Sequence, residues 1–249
     1  MSYLNVLRCD SLEESKQELA KLIQKAVDNH SGSVFTVGLS GGSLPTILSQ
    51  VLPTIKTDWK KWKFFFCDER LVSFNDPEST FGAYRSILVP KITDISLNQF
   101  VTIDPSLKAW SSAYDYLSKM KQIFSRKVEV TLPRFDLLFL GMGPDGHTCS
   151  LFPNHPLLNE DKRWISYIGD SPKPPPNRIT MTLPVLNNAK CCIFFVTGES
   201  KAQIIKDIIV DGKDLPAGRV RPIDGDLYWI LDNQSAKLLP EEALKKLSV

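Results

Sequence analysis

Phe135-Asp136-Leu137-Leu138-Phe139-Leu140-Gly141-Met142-Gly143-Pro144-Asp145-Gly146-His147 decides the fold class. Residues 135–140 are almost continuously apolar, with no alternation of polar and apolar positions. A strand covered on both faces needs that pattern, and such strands belong to parallel sheets flanked by helices. The run then enters a glycine-rich polar loop, where a strand's carboxyl end would present chemistry.

The same arrangement recurs outward in both directions. Residues 34–37 (VFTV) read as a strand entering Gly38-Leu39-Ser40-Gly41-Gly42-Ser43, followed by a helix from 44 to about 52. Residues 63–67 (KFFFC) read as a strand with polar Asp68-Glu69-Arg70 at its carboxyl end. Further strands are expected at 164–168, 179–183, 191–196 and 227–231. Helices are expected at 11–29, 79–89, 107–124 and 201–210. The first opens with a capping box, Ser11 with Glu14 three residues on, which satisfies backbone N–H groups reciprocally, and His30-Ser31-Gly32 ends it. Alternating strands and helices predict an α/β fold: one Rossmann-like, doubly wound, mostly parallel sheet with helices on both faces. A single domain over residues 1–249 is expected, and residues 171–177 (SPKPPPN) read as a stiff, polyproline-II-like surface loop.

Composition narrows the function. The 249 residues carry 30 Lys and Arg against 28 Asp and Glu, a net charge of +2, and 43% are hydrophobic. That excludes a disordered tail, a collagen and a disulfide scaffold. Nucleic-acid binders concentrate a basic excess on one face, whereas here acids are interspersed, so no nucleic-acid partner is expected. A small anion needs only a few placed cations. The five cysteines (9, 67, 149, 191, 192) include no Cys-x-x-Cys, so neither zinc nor redox motifs are expected. Acids interrupt the N-terminus where a signal peptide needs an apolar core, and no apolar run reaches a membrane span. The expected setting is the cytoplasm, with a nuclear pool allowed, no membrane partner, and a monomer or weak homodimer.

In open α/β sheets ligands bind beyond the strands' carboxyl ends. Three such ends carry polar clusters here. Ser40 to Ser43 suits an anion, because Gly41 and Gly42 let the backbone approach closely and Ser43 adds a hydroxyl. The same residues also suit a tight turn in which Ser43 caps the helix. Gly38-Leu39-Ser40-Gly41-Gly42 fits G-x-S-x-G, which would make Ser40 a nucleophile, but little chain precedes it to build an oxyanion hole. Gly141 to Gly146 fits G-x-G-x-x-G, with Asp161 twenty residues on. Pro144 lacks a donor and Asp145 would face a pyrophosphate with negative charge, so no nicotinamide cofactor is expected. What remains is Asp145-Gly146-His147: an Asp two residues from a His can orient the imidazole and stabilise its protonated form. The alternative is a His bonded to a loop carbonyl or capping a helix. His30 and His155 lack such a setting and read as surface residues. Arg178 and Lys201 add cations, and Lys201 opens a helix where the dipole disfavours it unless an anion binds.

Together these stretches resemble the 6-phosphogluconolactonase family, most of all its eukaryotic members. The resemblance is carried by Ser40-Gly41-Gly42-Ser43, Phe66-Cys67-Asp68-Glu69-Arg70-Leu71-Val72, Glu78-Ser79-Thr80-Phe81-Gly82 and 141–153, with Asn177-Arg178-Ile179-Thr180 and Gly198-Glu199-Ser200-Lys201. It implies cofactor-free hydrolysis of 6-phosphogluconolactone in the oxidative pentose phosphate pathway. It further implies His147 as base supported by Asp145, and contacts to phosphate and sugar from Gly41, Gly42, Ser43, Arg70, Arg178 and Lys201, with no metal. Asp68 would bind sugar hydroxyls or orient Arg70. The fold is shared with glucosamine-6-phosphate deaminases and isomerases, which resemble this chain at the same loops. They carry a Glu shortly after the His, where this chain has Phe152. Ser73 stands where lactonases often have Pro. A non-catalytic paralogue that binds a sugar phosphate or serves RNA metabolism is a third reading.

Overall fold

The computed structural model describes residues 4–125 and 129–244. Six strands form one wholly parallel sheet: β1 (Leu4–Cys9), β2 (Phe35–Leu39), β3 (Trp62–Phe66), β5 (Leu137–Leu140), β8 (Cys191–Val196) and β9 (Asp226–Asp232), ordered β1-β9-β8-β5-β2-β3. The remaining strands, β4 (Asp68–Arg70), β6 (Ile165–Ile168) and β7 (Arg178–Met181), form a small antiparallel sheet ordered β4-β7-β6.

The apolar runs dictate this layering. Successive side chains of a strand point to opposite faces, so Leu137 and Phe139 join one core while Leu138 and Leu140 join the other. The first core is closed by Leu19 and Ile23 of α1 (Leu12–Asp28), Leu48 of α2 (Leu44–Val51) and Tyr84 of α3 (Thr80–Ile87). The second is closed by Tyr116 and Met120 of α4 (Ala109–Phe124), Leu183 and Leu186 of α5 (Leu183–Leu186), and Ile205 of α6 (Ala202–Ile209). Burying each such Leu or Phe contributes roughly 1.5–3 kcal/mol. The doubly wound α/β architecture expected from the sequence is the one observed.

The details depart from expectation in four places. An N-terminal strand, β1, pairs in parallel with β9 along its length, Leu4 against Leu227 to Cys9 against Asp232. The strands expected at 164–168 and 179–183 leave the parallel sheet. At Cys67 the chain changes sheets, its N–H bonding Leu39 O (2.8 Å) and its carbonyl accepting from Met181 N (2.7 Å). Only half of the capping box forms: Ser11 Oγ accepts from Glu14 N at 3.1 Å, but the Glu14 carboxylate takes the N–H of Asp10, not of Ser11. The helix expected at 201–210 begins as a 3-10 turn, Glu199–Lys201, before α6.

Strand order places the site. From β2 the chain adds β3 on one side, then returns to add β5 on the other, so the carboxyl ends of β2 and β5 lie side by side at the switch point. Among the described residues no helix is long and apolar enough to cross a membrane.

Candidate active site

A cavity of about 270 Å³ opens at that switch point, with the loops after β2 and β5 as its walls. On the β2 side Gly42 adopts φ +70°, a conformation that glycine takes without strain. Ser43 is the residue before α2 but makes no side-chain capping bond, and Pro45 contributes no N–H. Ser43 is among the residues that line the cavity. Ser40 is buried and its Oγ has no hydrogen-bond partner among the described residues, so no base is seated on it as a nucleophile would need.

On the β5 side the loop 141–147 folds back on itself. Gly143 N donates to His147 O (2.8 Å) and Gly146 N to Gly143 O (3.1 Å). Two N–H groups a pyrophosphate would require are thus spent within the loop. The turn brings the imidazole over Gly143, where a Cβ would lie 2.0 Å from both Cε1 and Nδ1 of His147. His147 Nδ1 is 2.5 Å from Asp145 Oδ1. With Nδ1–H donating to the carboxylate, Nε2 carries the free lone pair. Phe152 packs beside the ring with centroids 4.8 Å apart. Burial holds His147 below its ordinary value; Asp145 opposes that and the nearby Lys173 ammonium adds to it. Burial would raise the Asp145 carboxyl, but the hydrogen bond and charge of His147, with Lys173, hold it at about 2.

Across the cavity stand the cations. Arg70 and Arg178 are directly opposed in the β4–β7 register. Like charges in that position repel, and burial followed by the Arg70 charge lowers the Arg178 pKa. Arg70 Nη1 is held by the carbonyl (2.9 Å) and carboxylate (2.7 Å) of Glu78, while its buried Nε has no partner among the described residues. Arg178 spends Nε on Pro175 O and Nη2 on the carbonyls of Lys173 and Pro174. Lys201 Nζ donates to Met142 O at 2.9 Å, and burial, then Lys173, lowers its pKa. Three cations around one cavity are an arrangement that an anion stabilises.

Asp68 is buried and accepts from Ser150 Oγ at 2.8 Å; Glu78, not Asp68, orients Arg70. Its neighbour Glu69 turns away and accepts from the N–H groups of Arg70, Thr80 and Phe81. Burial pushes its carboxyl up to about 7 against those three bonds.

The structure thus brings Gly41, Gly42, Ser43, Asp68, Arg70, His147, Arg178 and Lys201 to one cavity, with Asp145 bonded to His147 behind it. One residue escaped the sequence reading. Residues 169–177 form the hairpin loop between β6 and β7, and Lys173 reaches from it to Asp145. The other two histidines, expected at the surface, are half-buried and hydrogen-bonded. The His30 side chain is 10% exposed and bonds Asp136 at the sheet's amino edge, and His155 caps a 3-10 turn by accepting from Leu157 N.

A parallel α/β sheet whose switch point joins a His–Asp pair to several cations defines a class of proteins that act on small anionic substrates. Residues 10–229 match the family described as glucosamine-6-phosphate isomerases/6-phosphogluconolactonase, and the chain belongs to that family. It is 47% identical to the 6-phosphogluconolactonase of Rattus norvegicus over 92% of this chain and 93% of that one. Identity to the Bos taurus 6-phosphogluconolactonase is also 47%, over 93% and 94%. Among solved structures, 6-phosphogluconolactonase from Trypanosoma cruzi superposes with a TM-score of 0.81 at 30% identity, covering 96% of this chain and 98% of that chain.

Proposed function

We propose that this chain is an enzyme that hydrolyses 6-phospho-D-glucono-1,5-lactone to 6-phospho-D-gluconate, in the oxidative pentose phosphate pathway. The observation that carries the reading is a His147–Asp145 pair facing Arg70, Arg178 and Lys201 across one cavity. Similarity to relatives of that name over nine-tenths of the chain supports the substrate.

In this reading Ser43, Arg70, Arg178 and Lys201 hold the phosphate, with the Gly41–Gly42 backbone beside it, and charge-assisted bonds supply the affinity. Asp68 receives sugar hydroxyls. The lactone carbonyl then lies near His147 Nε2. A water attacks C1 as Nε2 takes its proton, forming the new C–O bond. The C1–ring oxygen bond breaks as the imidazolium returns the proton to the ring oxygen. Asp145 stabilises the imidazolium between these steps. General acid–base catalysis of this type supplies about 10²–10⁴-fold, and positioning of a strained ester adds to it. The step needs no cofactor.

Phe152 argues against sugar-phosphate isomerisation. The carboxylate those enzymes present after the His is replaced by a buried ring packed on His147 and lying 5.7 Å from the Arg178 guanidinium. We place the reaction in the cytoplasm, on one domain acting as a monomer or weak homodimer without nucleic acid. The test is hydrolysis of freshly generated 6-phosphogluconolactone above its spontaneous rate, beside an assay for ammonia release from glucosamine 6-phosphate. Acceleration of the first alone is expected; ammonia release without lactone hydrolysis overturns the reading.

A further inference from the structure

The proline-rich hairpin loop does more than cover the surface. Arg178 gathers three successive carbonyls, those of Lys173, Pro174 and Pro175, at 2.9–3.0 Å. Ser171 Oγ donates to Lys173 O and accepts from Lys173 N, closing the turn from the other side. So held, the loop delivers the Lys173 ammonium to the rear of the catalytic pair. Nζ lies 3.2 Å from Asp145 Oδ1 and 3.2 Å from His147 Nδ1. Both contacts cannot be hydrogen bonds at once. Nδ1 carries the proton it donates to Asp145, so the ammonium donates to the carboxylate and stands against the imidazole as a bare charge. The Lys173 ammonium thus contacts both members of the pair.

We infer that Lys173 is a positioning residue for the proposed reaction, locking Asp145 to its place and keeping His147 in the neutral Nδ1–H form whose Nε2 can accept a proton. The inference rests on the reading of His147 as base. A carboxylate shared by a histidine and a lysine cannot give its full charge to the imidazolium, and a cation at 3.2 Å disfavours imidazolium directly. Both effects have one sign. Besides Asp145 and Lys173, the charged group acting on the ring is Asp68 from β4, which favours the imidazolium; Arg70, Arg178 and Lys201 line the same cavity. The same loop ties the base to the anion clamp, because the guanidinium that fixes it also lines the cavity.

The chain has three histidines, so their imidazole signals can be followed by NMR in the full-length protein and His147 assigned by its loss in His147→Asn. Lys173→Met should raise the His147 midpoint by about one pH unit, as loss of a like charge at this distance does, and move the acid limb of kcat/KM upward with it. Lys173→Arg should restore both. Unchanged His30 and His155 signals verify that the fold is intact. An unmoved His147 midpoint in Lys173→Met overturns the inference, as does a rise in KM alone, which would make Lys173 a substrate contact. Failure of the underlying reading looks different: His147→Asn would then keep wild-type turnover.

Discussion

Gly143→Ala tests whether the imidazole must sit where it is found. The added Cβ would lie 2.0 Å from Cε1 and Nδ1 of His147 and 2.7 Å from Asp145 Oδ1. Ordinary contact begins near 3.4 Å, so the ring has to retreat by about 1.4 Å. Gly143 is not among the residues with positive φ, so alanine meets no backbone strain there. The loop can keep its own hydrogen bonds while the ring moves. A misplacement of about 1 Å at reacting groups costs on the order of 10²-fold in rate. Steady-state hydrolysis of fresh lactone should therefore show kcat reduced about 10²-fold or more, with KM changed little and the thermal midpoint within a few degrees of wild type. Wild-type kcat in a folded Gly143→Ala protein would refute the geometry argued for the base.

Three other perturbations separate the parts of the site. Asp145→Asn removes the charge that favours imidazolium, so kcat should fall about 10²-fold while the acid limb of kcat/KM moves to lower pH, opposite to the shift expected for Lys173→Met; a limb that moves up contradicts the pairing. Lys201→Ala should weaken the phosphorylated lactone by about 10–100-fold, the worth of one charge-assisted bond, and leave the unphosphorylated lactone nearly untouched; equal losses on both count against a phosphate contact. Asp136→Ala removes the carboxylate that Thr36, His30 and Lys190 share at the amino edge of the sheet. It should cost about 2–4 kcal/mol in urea unfolding with kcat unchanged, and an unshifted urea midpoint would show those bonds to be worthless.

Legibility from sequence follows the range of the interactions involved. Residues 135–147 could be read locally, because a doubly buried strand and the loop at its end are encoded in adjacent residues. The cavity followed, since ligand sites at strand ends are a property of the fold class. β1 escaped because Asn5 and Arg8 interrupt its apolar pattern, and its strand character comes from pairing with β9 more than two hundred residues away. The opposition of Arg70 and Arg178 is likewise a product of antiparallel register between distant segments. Lys173 sits in a proline-rich stretch that announces a surface loop and nothing else; only the hairpin's direction turns its side chain toward Asp145. His30 follows the end of α1, as its sequence suggested, but its ring is held by Asp136, the residue just before β5.

The most direct measurement compares wild type with His147→Ala on freshly generated 6-phosphoglucono-δ-lactone, corrected for spontaneous hydrolysis. Fast wild-type turnover that falls about 10²–10⁴-fold in the variant, with substrate still bound, is the predicted result. A His147→Ala enzyme that keeps wild-type turnover, or an acyl group trapped on Ser40, would contradict the mechanism.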